Sequence, residues 1–308
     1  MVITMKTKNT FALLLAAIML ALSFTACSPS KKSEKKSDIY KFENYKSDEV
    51  FDIEKVKLDD ELSEKCTSYK FSYISDGYKI RAYISLPNSA IKSQKPCKCV
   101  IFNRGGNSIL GVLQDSDTAN ACIISDRIIV ASQYRGADGS EGVDQFGGDD
   151  LNDVIKLIDL CEKNFSFVDM DDLCVAGASR GGMMTYMAAR KDKRVKRIIS
   201  ISGVCDLFAC YKEREDMNDL LENYIGGTPD EKPSEYEKRS AVCWYDEIKI
   251  PVLIIHSKLD KQVSYKQAKT LYKKLKKTTD CTFISHGDDT HAVIHSDDKE
   301  PIRKFLKN

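Results

Sequence analysis

The chain has 308 residues, with 47 Lys and Arg against 46 Asp and Glu, a formal net charge of +1. That balance argues against a nucleic-acid partner and leaves no net field to steer a charged one. The length suits a single α/β domain behind a short leader, and 42% apolar residues are enough for a core.

The leader comes first. Lys6 and Lys8 precede an almost unbroken apolar run, Phe11–Phe24, and Thr25-Ala26-Cys27 follows with small residues. The run is about fourteen residues, whereas a spanning helix needs about twenty, so it reads as an export signal rather than a membrane span. It looks like a bacterial lipoprotein signal, residues 1–27, with Cys27 as the lipid-modified first residue of the mature chain. Phe24 stands where leucine is usual, and an ordinary secretory signal is the competing reading. The expected location is extracytoplasmic, on the outer face of the cell membrane through the lipid anchor, or secreted in the alternative. Residues 28–45 open on a Ser/Lys-rich stretch that cannot bury enough surface to fold. They are read as a disordered tether, and residues 46–308 as the folded domain.

Within the domain, Lys70–Ile74 and Lys79–Pro87 flank Asp76-Gly77 and predict a hairpin. Cys99–Phe102 and Ile128–Ser132 are short apolar strands. Leu151–Lys163 carries Val154, Ile155, Ile158 and Cys161 at helical spacing. Leu173–Ala176 and Arg197–Ile201 are further strands. Pro251–His256 is too apolar for a half-exposed strand and predicts a fully buried one, followed by a helix from about Ser264. Cys281–Ser285 is the next strand. Strands alternating with helices predict a doubly wound, mostly parallel sheet with helices on both faces. Val204–Ser240, helical and aromatic-bearing, is expected to form a small lid. Ten cysteines besides Cys27 suggest disulfides in an exported protein, but several fall in apolar runs, so few bridges are expected. Cys205 and Cys210 are the pair to check first.

Gly177-Ala178-Ser179-Arg180-Gly181 lies between the strand Leu173–Ala176 and a helix-forming stretch from Met183. A G-x-S-x-G turn in that position is the nucleophile elbow of α/β-hydrolases, which exposes the serine hydroxyl at a strained tip. The N–H of the next residue, Arg180, then faces a developing oxyanion. The competing reading is a phosphate-holding turn at a helix start, but neither the Rossmann spacing nor a Walker lysine is present. In this fold the acid and then the histidine follow the serine along the chain. Asp260 lies just past the buried strand Pro251–His256, and His291 lies in the loop after Cys281–Ser285. Both sit at strand ends, where open α/β sheets place their ligands. His286 and His295 compete with His291 for the role of base.

The chain resembles the prolyl oligopeptidase family. Gly177–Thr185 is similar to the family's G-G-S-Y-G-G-Y-M-T, and Gln133–Gly142 to its N-Y-R-G-S-x-G-Y-G. Gly147–Val154 resembles G-G-x-D-x-x-D-V, Leu220–Ser240 the Y-L-G-G-x-P stretch ending in R-S-P, and Pro251–Val263 P-V-L-L-I-H-G-x-x-D-x-x-V. The resemblance implies an α/β-hydrolase fold, with Ser179 as nucleophile, Asp260 as acid and His291 as base. Two departures stand out. Phe102-Asn103-Arg104-Gly105-Gly106 has Arg104 where the family carries Tyr or His as second oxyanion donor, so Arg104, Gly105 and Gly106 all remain candidates beside Arg180. The propeller of the typical family peptidases is absent from these 308 residues.

The expected function is cleavage of ester or peptide bonds by a Ser-Asp-His serine hydrolase. The alternatives are a carboxylic esterase without peptidase activity, or a non-catalytic surface lipoprotein that keeps the fold. No metal or organic cofactor is expected. By resemblance, Val204, Leu207, Tyr211 and Val263 line an apolar pocket for a small ester or short-peptide substrate. The sequence leaves the oligomeric state open.

Overall fold

The computed structural model describes residues 38–45 and 47–307. Nine strands form one sheet: β1 Val50–Lys55, β2 Cys66–Ser75, β3 Tyr78–Pro87, β4 Cys97–Asn103, β5 Ile128–Ser132, β6 Val168–Ala178, β7 Arg197–Ile201, β8 Val252–Ser257 and β9 Cys281–His286. The order across the sheet is β1-β2-β3-β5-β4-β6-β7-β8-β9. β1 to β3 and the β3–β5 pair run antiparallel; from β5 to β9 every pairing is parallel. This is the α/β-hydrolase fold.

Alternation along each strand explains the apolar runs. On β6, Leu173 and Val175 face one core while Cys174 and Ala176 face the other; on β8, Val252 and Ile254 are split in the same way from Leu253 and Ile255. Successive side chains on a strand point to opposite faces, so a sheet covered on both sides needs apolar residues at every position. One face is covered by α4 Asp150–Asn164, α5 Arg180–Lys191 and α9 Tyr265–Leu275, through Leu157, Met184 and Leu271 among others. The opposite face carries α3 Asp117–Ser125 and α10 Lys299–Lys307, through Ala119, Cys122, Ile302 and Leu306. Two shorter helices, α1 Asp60–Lys65 and α2 Asn88–Ser93, flank the antiparallel strands. The lid consists of α6 Leu207–Glu213, α7 Asn218–Ile225 and α8 Pro233–Lys238. Asp76 and Gly77, both at positive φ, turn the β2–β3 hairpin as expected for a two-residue primed turn.

Three expectations meet the structure here. Residues 38–45, expected to belong to the tether, are part of the domain instead: Tyr40 and Phe42 are buried, and Phe42 packs against Tyr69, Phe71, Phe165 and Phe167. These are the first aromatic side chains after the Ser/Lys stretch, and their apolar surface draws residues 38–45 into the domain. Cys205 and Cys210 are free and buried, like most of the ten described cysteines. Residues 1–27, with Cys27, lie outside the described residues, among which no helix is long and apolar enough to cross a membrane.

Several buried carboxylates give the domain an acid limit. Burial raises the Asp172 carboxyl, but Arg127 and Arg197 outweigh it and hold it below the usual range. Arg194 does the same for Asp192, and Arg180 for Asp144. Asp153 works the other way, since burial outweighs Arg135 and pushes it up. A carboxyl depressed by folding contributes stability above its unfolded pKa, about 4, and that contribution is lost as pH falls through the folded value. These three depressed groups and Asp260, which is depressed as well, stand against one raised group and predict a Tm that is flat from neutral pH to about 5 and falls steeply below about 4. A thermal melt series from pH 7 to 3 checks this; an unchanged Tm at pH 3 would refute it.

Candidate active site

Ser179 stands between β6 and α5 at φ 56°, ψ −123°. A non-glycine residue holds such a conformation only when its surroundings impose it. Here Ser179 N–H donates to Ile201 O at 2.9 Å, and Ser179 O accepts from Gly182 N–H at 2.9 Å and Val204 N–H at 3.2 Å. The flanking glycines are sterically required. A Cβ on Gly177 would meet Gly181 O at 2.2 Å, and one on Gly181 would meet Asn103 O at 2.0 Å. Helix and strand therefore approach closely enough to present the serine at the tip. As the first residue of α5, Arg180 offers an N–H with no acceptor inside the helix.

β8 lies two strands from β6 and ends in the turn that carries Asp260. The carboxylate is buried and fully engaged. Oδ1 accepts from Gln262 N–H at 2.8 Å and Val263 N–H at 3.1 Å; Oδ2 meets His291 Nδ1 at 2.8 Å and His256 Nε2 at 3.4 Å. Burial raises its carboxyl, but the hydrogen bonds from His256, His291 and Val263 prevail and hold it far below the usual range. Asp260 is therefore an anion at neutral pH, able to fix the Nδ1–H tautomer of His291. His291 is half-buried, beside Ala292 at φ 58° in the loop after β9. Ser179 is also half-buried, and no hydrogen bond closes between its Oγ and His291; such bonds commonly tighten only around substrate.

The other histidines have structural partners. His256 Nε2 donates to Val263 O at 2.9 Å, bracing the acid turn. His286 Nε2 lies 2.9 Å from Asp298 Oδ1, and its ring lies against that of His295, tilted by 33° with centroids 4.0 Å apart. His295 Nε2 pairs with Thr290 Oγ1 at 3.2 Å. His286 and His295 thus staple the two ends of the His291 loop.

The Arg104 expectation is corrected. Its guanidinium is buried and turned into its own loop, donating to Gly105 O, Ser108 O, Leu110 O and Gln133 O at 2.9–3.2 Å. Buried carbonyls need donors, and this ring of four takes the guanidinium away from the oxyanion. Gly105 lies closer to the chemistry: a Cβ there would sit 3.2 Å from Ser179 Cβ and 3.1 Å from Ala178 O. Neither the Gly105 nor the Gly106 N–H has an acceptor among the described residues. The pocket expectation is also corrected. Val204, Leu207 and Val263 are buried in the core, where they pack the lid and the acid turn onto the sheet. Tyr211 is half-buried, its hydroxyl on Glu222 and its ring edge-on to Tyr236. The large aliphatic side chains that do face solvent are Ile109 and Leu110 after β4, Val143 after β5, Leu259 after β8 and Val293 after β9. All five belong to loops at the C-terminal edge of the parallel strands, the edge that carries Ser179.

Residues 123–305, more than half of the chain, match the prolyl oligopeptidase family. The chain belongs to that family. A Bacillus subtilis relative named as the uncharacterized peptidase YtmA is 28% identical over 215 residues, covering 70% of this chain and 81% of its own length. Dipeptidyl-peptidase 5 of Aspergillus oryzae is 25% identical over 237 residues, 73% of this chain but 32% of the relative. The chain thus spans about a third of that relative. Among solved structures, Pyrococcus horikoshii acylaminoacyl peptidase aligns with a TM-score of 0.62 at 20% identity, over 79% of this chain and 40% of that one. An acetyl xylan esterase from Paenibacillus sp. R4 aligns with a TM-score of 0.62 at 14% identity, over 83% and 88%. This family member is a serine hydrolase.

Proposed function

We propose that the hydrolase works through Ser179, Asp260 and His291. Ser179 Oγ attacks the acyl carbon, His291 takes its proton and returns it to the leaving group, and Asp260 holds the imidazole in the required tautomer. The observation that carries this reading is one serine strained to φ 56° at a strand-to-helix turn, with a buried aspartate 2.8 Å from an imidazole two strands away along the same sheet edge. The Arg180 N–H and the free amides of Gly105 and Gly106 are the oxyanion donors. Labelling by a fluorophosphonate probe tests the nucleophile: adduct on Ser179 is expected, and its absence would favour a binding module that keeps only the fold.

The proposed substrates are small apolar acyl esters and short peptide amides. What supports an apolar acyl group is the set of exposed aliphatic side chains on loops at the sheet edge that carries Ser179, in place of the buried Val204, Leu207 and Val263. Burying such side chains against an apolar group removes both from water, at about 25 cal/mol per Å². A panel of p-nitrophenyl esters beside aminoacyl and prolyl anilides decides between esterase and peptidase. Preference for charged acyl groups would reject the apolar reading.

For location, the proposal is a lipid anchor on Cys27, supported by the basic start, the apolar run and the small residues before that cysteine. Cys27→Ser should release the protein from the membrane fraction or leave it unprocessed. Unchanged fractionation and processing would reject lipidation.

A further inference from the structure

Arg180 stands where the family motif has tyrosine, and its side chain is among the most deeply buried in the molecule. The guanidinium has a specific set of partners. Nη1 donates to Gly106 O at 3.0 Å and to Asp144 Oδ2 at 2.7 Å, and Nη2 pairs with Asp150. Its plane lies near two rings, 5.2 Å from the Tyr134 centroid and 5.0 Å from that of Phe146. Arg104 lies 5.0 Å from the same Tyr134 ring. Two cations and two carboxylates are thus buried beside the nucleophile, at a desolvation cost of several kcal/mol per ion that close pairing has to offset.

The contacts converge on the loop between β4 and α3. Gly105 O accepts from Arg104 Nη1 at 3.0 Å, and Gly106 O from Arg180 Nη1 at 3.0 Å. In a trans peptide the C=O and the following N–H point to opposite sides. Holding the Gly105 carbonyl on Arg104 therefore turns the Gly106 N–H away from that guanidinium, and holding the Gly106 carbonyl on Arg180 fixes the next peptide plane. Asp144 Oδ2 also accepts the Ser108 N–H at 2.8 Å, so the carboxylate that anchors Arg180 grips the far side of the same loop. Gly106, at φ 68°, cannot carry a side chain: a Cβ would meet Leu110 O at 2.1 Å.

We infer that the Arg180 side chain, anchored by Asp144, is a positioning residue: by holding the Gly106 carbonyl it fixes the loop that presents the Gly105 and Gly106 N–H groups as the second oxyanion donor beside Ser179. The inference rests on the reading of Ser179 as nucleophile. Arginine suits the task because its planar fork serves two carboxylates and a carbonyl at once, which a lysine ammonium on a flexible stem cannot reproduce. The clamp acts on charge that develops only in the transition state, so its loss lowers kcat and leaves KM near its starting value.

The test compares Arg180→Lys, Arg180→Gln and Asp144→Asn with the unmodified enzyme. Ser179→Ala is the inactive control, and Arg190→Gln, on the exposed side of the same helix, is the neutral one. For each, kcat and KM are measured on a p-nitrophenyl ester, Ki on a trifluoromethyl ketone of matching acyl group, and Tm by melting. The ketone adduct carries the oxyanion, so its affinity reads the donors directly. Arg180→Lys and Asp144→Asn should lower kcat about 10–100-fold and raise the ketone Ki in proportion, with KM within about threefold. Asp144→Asn keeps Arg180 paired with Asp150, so it serves if the Arg180 variants do not fold; if none of the three folds, the clamp is an element of stability alone and the inference falls. It also falls if a folded variant keeps kcat within about twofold, or loses kcat with Ki unchanged. Turnover retained by Ser179→Ala would instead overturn the nucleophile assignment and leave the clamp measurements to be read separately.

Discussion

Ser179→Ala is expected to lower kcat by about 10⁴–10⁶-fold while leaving Tm within about 2 °C. The loss is large because the triad acts as a unit: without Oγ no acyl-enzyme forms, and only water held near the oxyanion donors remains. The fold should not change. Ser179 is half-buried, no hydrogen bond ties its Oγ to another group, and both backbone groups keep their bonds to Ile201, Gly182 and Val204. Alanine carries the same Cβ as serine, so the strain at φ 56° is kept rather than relieved. His291→Ala should cost a comparable factor. Steady-state turnover and melting of the purified variants check both; activity above about one hundredth of the starting value in either would reject the assignment.

Asp260→Asn is expected to lower kcat by about 10⁴-fold with the fold retained, and the cause is a tautomer. The two oxygens of Asp260 have different duties. Oδ1 accepts two backbone N–H groups, from Gln262 and Val263, and Oδ2 faces the imidazoles of His291 and His256. An asparagine has only one acceptor oxygen, and the two N–H donors would hold it at the Oδ1 position. Its NH₂ group then faces His291 Nδ1 and donates to it. That places the imidazole proton on Nε2, where it cannot accept the Ser179 proton. Asp260→Ala should be less folded as well as inactive, because it leaves the buried Val263 N–H, and the Gln262 N–H beside it, without an acceptor. Equal kcat for Asp260→Asn and the unmodified enzyme would remove Asp260 from the mechanism.

The elements of the fold differ in how far neighbouring residues alone specify them. β4 to β8 are legible because a strand buried on both faces must be apolar at nearly every position, and that requirement is written in consecutive residues. The elbow is legible for a related reason: Gly177 and Gly181 answer a collision within one turn of chain. β1, Val50–Lys55, was not legible. It is a mixed apolar and charged run on the sheet edge, with a register shift between Phe51 and Glu54, and its strand identity comes from pairing with β2. The packing of Tyr40 and Phe42 was hidden in the same way, since the aromatic site that receives them is assembled from β2 and the residues after α4.

By itself, the sequence determined the strand–helix alternation, the family, and the order of serine, aspartate and histidine at strand ends. Only the tertiary structure decided which charges are buried and which apolar residues face solvent. Arg180 and Asp144 are 36 positions apart, and nothing along the chain pairs them; folding buries them together beside Ser179. Arg104 reads as a donor for substrate, and the folded loop spends its guanidinium on four backbone carbonyls. Leu207 reads as a pocket wall and becomes core, while Leu259 and Val293 are left in water at the site. The physical reason is common to all of these. Periodicity and turn chemistry depend on a residue's own neighbours along the chain, whereas burial, pairing and exposure depend on segments that reach it from elsewhere.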